Sequence, residues 1–160
     1  MQDLTKLLKI LLENNIDFVL IGGFAAVVHG STLVTQDLDI CTTVSESNIH
    51  RLRHVLKDLH PWHRMNPKIK LSFLEHPKSI DGLNNIYLQT DLGILDILSE
   101  TQPAGDFQTI KTNSIEIPLY GHKCNVISLD DLIKVKEAMN RPKDIQAVIE
   151  LKKVKELSQK

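Results

Sequence analysis

Leucines recur at helical spacing near the start of the chain. Leu4, Leu7, Leu8, Leu11 and Leu12 fall on one face of a 3.6-residue period, and the pattern stops at Asn14-Asn15. Residues 3–14 are therefore expected to form an amphipathic helix. The apolar run 17–21, DFVLI, reads as a buried strand, and Gly22-Gly23 turns the chain into a short helix, FAAVVHG, that stops at Gly30. Over 37–42, DLDICT, acidic and apolar residues alternate. As a strand, this segment points Asp37 and Asp39 to one face and Leu38 and Ile40 to the other.

A second amphipathic helix is expected over 46–59, closed by His60-Pro61. Strands are expected at 69–74, 85–89 and 93–98, the last two separated by the turn residues Thr90-Asp91. In GILDIL, Asp96 lies between Leu95 and Ile97 and faces away from them, as Asp39 does in its own strand. If the two strands are neighbours, three carboxylates converge. Residues 101–127 read as a polar loop holding Pro103 and Gly105, followed by short strands around IEIPL and CNVI. SLDDLIKVKEAM gives a helix with Ser128 as N-cap and an acidic first turn. Arg141-Pro142 breaks it, and 143–157 form a last helix with Ile145, Val148, Ile149 and Leu151 as its apolar face.

These elements predict a mixed α+β fold, a central sheet flanked by helices, with helices at its C-terminal end. A chain of 160 residues suits one domain. The expected organisation is a single domain over 1–160, with a core over about 17–127 and a helical segment over about 128–158. Basic and acidic residues number 19 and 20, for a net charge of -1, so the whole molecule does not attract nucleic acid by charge alone. Cys41 and Cys124 form no CxxC unit, which argues against a disulfide scaffold or a zinc knuckle. The N-terminal residues lack a small-residue cleavage site, and no stretch approaches the ~20 apolar residues that span a bilayer. The expectation is a cytoplasmic protein with reduced thiols and no membrane partner.

The acidic pattern changes the picture most. Two divalent cations about 3.5–4 Å apart can activate an attacking oxygen and clamp phosphates, and they require hard oxygen ligands from more than one segment. Asp37 and Asp39 supply a pair and Asp96 a third. DxD alone fits a solvated strand end equally well. Joined to Gly22-Gly23, where bare backbone at a helix start lets a phosphate approach, it points to phosphoryl or nucleotidyl transfer. Close packing of the FAAVVHG helix would also call for small residues there. The GxxxxGK[ST] spacing of a P-loop is absent.

Gly22-Gly23, Asp37-Leu38-Asp39 and Asp96, in that order, resemble the nucleotidyltransferase superfamily, the fold of DNA polymerase beta and of small stand-alone nucleotidyltransferases. Thr35, two residues before the first aspartate, fits the small members. YLQTDLGILDIL, SLDDLIKVKEAM and Arg141-Pro142-Lys143-Asp144 extend the resemblance, which covers most of 17–150. The family's G-x-hydrophobic-D pattern selects Asp96 over Asp91. One departure is Leu33, where many small relatives carry an arginine.

The resemblance implies transfer of a nucleoside monophosphate from an NTP such as ATP to an acceptor hydroxyl on RNA, protein or a small molecule, with release of pyrophosphate. It implies catalytic and metal roles for Asp37, Asp39 and Asp96 with two Mg²⁺ or Mn²⁺ ions, and phosphate binding by Gly22, Gly23 and Lys136. Thr35, His29, Arg141 and Lys143 are further candidates. His29 equally fits a helix-terminal histidine bonded to a carbonyl, and the lysines equally fit a solvated face paired with Asp130, Asp131, Glu137 or Asp144. The small domain suggests a homodimer or partner protein, and the alternative reading is a weakly catalytic or regulatory partner, as in a toxin-antitoxin pair. Arg51, Arg53, His54, Lys57, His63, Arg64, Lys68 and Lys70 make the middle of the chain basic, with Trp62 as its one large stacking ring, which fits either RNA binding or a solvated helix face. Ser31 and Thr32 have no supporting histidine-acid arrangement for covalent chemistry.

Overall fold

A computed structural model describes residues 2–159. The first helix, α1 (Leu4–Glu13), begins where the Asp3 carboxylate accepts the Lys6 amide at 2.9 Å, and it buries Leu7, Leu8, Leu11 and Leu12 as their spacing predicts. Strand β1 (Val19–Ile21) runs directly into α2 (Gly22–His29), which includes the glycine pair and ends at Gly30 in the left-handed conformation, φ 118°. Then come β2 (Asp37–Cys41) and α3 (Glu46–Leu56), the latter capped by Ser45 and extended by a 3-10 turn over Lys57–Leu59. The chain continues through β3 (Trp62–His63), β4 (Asn85–Thr90) and β5 (Gly93–Leu98). A small hairpin of β6 (Glu100–Thr101) and β7 (Gly105–Asp106) leads into α4 (Phe107–Asn113). Strands β8 (Ile115–Leu119) and β9 (His122–Val126) and helices α5 (Leu129–Met139) and α6 (Pro142–Ser158) complete the fold.

Seven strands form one mixed sheet in the order β3-β4-β5-β2-β1-β9-β8. The β2/β5 and β1/β9 pairs are parallel, and the others are antiparallel. Leu20, Leu38, Ile40, Ile86, Leu88, Leu95, Ile97 and Val126 are buried from successive strands, and helices close over them with Leu7, Leu11, Leu52, Leu56 and Leu132. Among the described residues no helix is long and apolar enough to cross a membrane.

Three expectations are corrected. Residues 69–74 form no strand: the neighbouring pair Trp62–His63 takes the sheet edge, and Ser72 meets Trp62 through one isolated bridge. Arg53 and His63 instead hold this loop by its carbonyls, Arg53 at Phe73 and Pro77 and His63 at His76, and only Phe73 is fully buried. The stretch expected to be polar loop contains the β6/β7 hairpin and α4, whose start is capped by Asp106 accepting the Thr109 amide at 3.0 Å. Only Phe107 and Ile110 of α4 are buried, too short a repeat to stand out in sequence. The third correction concerns α6, where Ile145 and Ile149 are exposed and the inward face is Asp144, Ala147, Val148 and Leu151. A charged residue heads the inward stripe and hides it from a reading by hydrophobicity.

Candidate active site

The parallel pairing of β2 and β5 sets Asp39 opposite Asp96 and Asp37 opposite Ile94. Period-two alternation then puts Asp37, Asp39 and Asp96 on one face of the sheet. Each offers a carboxylate oxygen, and these oxygens all lie within 4.8 Å of one another. Such a cluster repels itself. Burial, followed by the charges of Asp96 and Asp37, pushes the Asp39 carboxyl up to about 7, against the opposing pull of Lys136 and Lys143. Burial also raises the Asp96 carboxyl, while a hydrogen bond from Arg64 draws it back.

Ile21 lies opposite Asp39 across the β1/β2 pair, so α2 starts beside the carboxylates. Gly22 has φ 69°, and a Cβ there would run into the Asp39 carboxylate. At Gly23 a Cβ would stand 2.8 Å from Thr35 Oγ1. The glycines are thus required by close packing against the acidic strand, and no side chain caps the first turn of α2. Gly22 and Gly23 line the cleft, and the leading amides of a helix have no intrahelical partner. Thr35 donates its hydroxyl to the Asp37 carbonyl at 2.9 Å and fixes the entry to β2.

The opposite wall is basic. Lys136 of α5 is buried and sits 3.5 Å from Asp144, which is fully buried in the first turn of α6. Asp144 also accepts Arg141 Nε at 2.6 Å, a second guanidinium nitrogen at 3.2 Å and the Arg141 amide at 3.1 Å. Burial alone would raise the Asp144 carboxyl, yet these bonds and the Lys136 charge hold it below the ordinary range. Asp144 therefore anchors two cations, and Lys136, Arg141 and Lys143 line the same cleft as the three aspartates, a space of about 640 Å³. Glu150 of α6 accepts the Ser31 and Thr32 hydroxyls and the Thr32 amide, tying the loop before β2 to the last helix. The His29 ring is 2.7 Å from the Ile127 carbonyl and does not line the cleft.

Arg64 is the residue that sequence reasoning left out of this site. Its Nε and a terminal nitrogen lie 3.2 and 2.7 Å from the two Asp96 oxygens, and its guanidinium lies over the Tyr87 ring at 5.4 Å. The contact crosses from the end of β3 over β4 to β5: the Arg64 amide bonds the Tyr87 carbonyl, and Tyr87 faces Asp96. No local spacing signals it. The remaining basic residues of that segment are largely structural. Arg51 bonds the Asn14 and Asn15 carbonyls, and Lys70 lies over the Trp62 ring at 5.1 Å. Asp91, read as a turn residue, pairs with His60 at 2.6 Å. Cys41 and Cys124 are free and buried, and burial, with the charges of Asp106 and Glu100 at Cys41, raises their thiols to about 12 and about 11.

No family model and no curated protein sequence matches the chain. Solved structures do. The lincosamide antibiotic adenylyltransferase LnuA, bound to lincomycin, superposes with a TM-score of 0.64 at 17% identity, over 94% of this chain and 95% of that one. ANT(2")-Ia, in complex with adenylyl-2"-tobramycin, superposes with a TM-score of 0.57 at 15% identity, over 96% and 91%.

Proposed function

We propose, from a chain that has the nucleotidyltransferase superfamily fold, a metal-dependent enzyme that moves a nucleoside monophosphate from an NTP to the hydroxyl of an acceptor. The observation that carries this reading is the β2/β5 register, which gathers Asp37, Asp39 and Asp96 beside the uncapped start of α2. The donor set fits a hard divalent cation: it is all carboxylate, it draws on two strands, and its mutual repulsion is relieved by positive charge. Asp37 and Asp39 would hold Mg²⁺, or Mn²⁺ in its place, with Asp96 completing a two-ion site. Bound there, the ions neutralise phosphate charge and favour ionisation of the attacking hydroxyl.

The chain's own groups do the rest. The first amides of α2 receive β and γ phosphate oxygens, and Gly22 and Gly23 let them approach. Lys136, aimed by Asp144, takes the triphosphate, with Arg141 and Lys143 beside it. Asp96 takes the proton of the acceptor hydroxyl, a role suited to a carboxyl whose proton affinity burial has raised. The acceptor oxygen bonds the α-phosphorus, the bond from that phosphorus to the bridging oxygen breaks, and pyrophosphate leaves along the basic wall. One structural neighbour is a lincosamide antibiotic adenylyltransferase and the other holds adenylyl-2"-tobramycin, which supports ATP as donor and a small hydroxyl compound as acceptor.

Calorimetric binding of each NTP with Mn²⁺, comparing wild type with D37A/D39A, tests the reading. Binding that disappears in the double variant, followed by transfer to a small acceptor, is expected; binding and transfer that both survive would overturn it. Binding without transfer to any acceptor would turn the protein into the regulatory partner of the alternative reading.

A further inference from the structure

The cleft has two unlike sides. α2, α5 and α6 form one, β5, β4 and the end of β3 form the other, and the carboxylates of β2 and β5 stand between them. Of the four cationic residues that line it, Lys136, Arg141 and Lys143 belong to the helical side and only Arg64 to the sheet side. In an in-line displacement the attacking and leaving oxygens lie on opposite sides of the phosphorus. With the triphosphate on the helical side, the acceptor enters past Asp96, Arg64 and Tyr87.

On that reading of the reaction, we propose that the acceptor is a small hydroxyl compound that carries a phosphate, and that Arg64 is the residue that receives the phosphate. The lining offers a polyamine nothing to bind. Its only carboxylates are Asp37, Asp39 and Asp96, and all of them belong to the reacting centre. Arg64, in contrast, already presents two N–H groups as a fork with the Tyr87 ring beneath it. That fork matches a phosphate as well as it matches the carboxylate it now holds. When Asp96 turns to the acceptor hydroxyl, the guanidinium loses its partner. Its side chain is 26% exposed, partly withdrawn from water, so a guanidinium released by Asp96 there favours a new anionic partner. A compound with a hydroxyl and a phosphate on one short frame gives the first to Asp96 and the second to Arg64. The volume of about 640 Å³ is that of a small-molecule site.

The test uses the full chain loaded with Mn²⁺ and a non-hydrolysable ATP analogue. It is titrated calorimetrically with a pentose phosphate, a hexose phosphate, the two free sugars, tobramycin and a short RNA with a free 3′ hydroxyl. At least one sugar phosphate is expected to bind about tenfold or more tightly than its free sugar, since a charge-assisted pair is at stake. R64A and R64Q, each saturated with the analogue, should abolish that difference, and R64K should restore part of it. The proposal is overturned if neither phosphate outcompetes its sugar, if tobramycin binds the wild type, or if the RNA binds and the sugar phosphates do not. It is overturned too if the Arg64 variants, saturated with the analogue, keep the preference for the sugar phosphate over the free sugar. Failure of the wild type to bind the analogue would remove the transfer reading itself, and this proposal with it.

Discussion

Asp39 and Asp96 stand directly opposite each other in the parallel β2/β5 pair, so two carboxylates far apart in sequence share one partly dry face of the sheet. Like charges at that separation resist joint ionisation, and the cluster is a local source of instability that a bound cation would relieve. A charge cluster kept at the expense of stability has consequences that can be measured.

The pH dependence follows from Asp39. Its carboxyl ionises near 3.8 in the unfolded chain and at about 7 in the folded one, so between these values the folded state holds more protons. Stability from this group is full below about 3.8 and declines as pH rises through about 7. Without divalent cations, D39N is expected to become more stable than wild type above that point, by roughly 2–4 kcal/mol. Mg²⁺ at a thousandfold excess over Kd should reverse the order, because the wild type, with its complete carboxylate set, gains RT ln(1 + [L]/Kd), about 4.1 kcal/mol. Thermal melts of both proteins across this pH range, with EDTA or Mg²⁺, check both signs.

Gly22 should tolerate substitution far worse than Gly23. G22A places a methyl group against the Asp39 carboxylate on a backbone of φ 69°, whereas G23A meets the end of the Thr35 side chain. G22A is expected to cost about 2–3 kcal/mol and to weaken Mn²⁺ binding, since Asp39 must move. G23A is expected to cost about 1 kcal/mol. Denaturant melts with Mn²⁺ titration separate the two.

Removing Asp144 leaves Lys136 buried without its anion. D144N is expected to destabilise the protein by about 3 kcal/mol at neutral pH, and K136M by a similar amount, while K136M/D144L should cost less than the sum. The Asp144 contribution is present above its unfolded value of 3.8 and fades as pH falls through its lower folded value. D144N should also weaken NTP binding about tenfold, because Lys136 and Arg141 lose the group that aims them. Denaturant unfolding of the single and double variants, with calorimetric NTP binding by D144N, checks these expectations.

Glu150 is the tether between α6 and the loop that leads to the acidic strand. E150A should speed hydrogen exchange at the Thr32 and Leu33 amides and leave the amides of β1 and β5 unchanged, since Glu150 bonds only the loop residues Ser31 and Thr32. Equal protection in both proteins would show that the loop is held by other contacts.

The local elements were legible where periodicity is long or punctuation strong. The leucines of α1, the glycine pair and Gly30 that bound α2, the alternation in β2 and the Ser128 cap of α5 each state a local preference that the fold keeps. Where a short segment takes its shape from distant partners, the reading failed. Arg53 and His63 hold the loop around Phe73 out of the sheet, and only Asp106 and two buried side chains mark α4.

The sequence by itself determined that Asp37 and Asp39 share a face and that Asp96 faces away from its apolar neighbours, because side-chain direction in a strand depends only on period two. Only the tertiary structure decided that these faces meet, that Asp144 aims Lys136 and Arg141 into the cleft, and that Arg64 reaches Asp96 across β4. Register between strands and the pairing of buried charges are set by what packs against what, and that information lies in the whole chain at once.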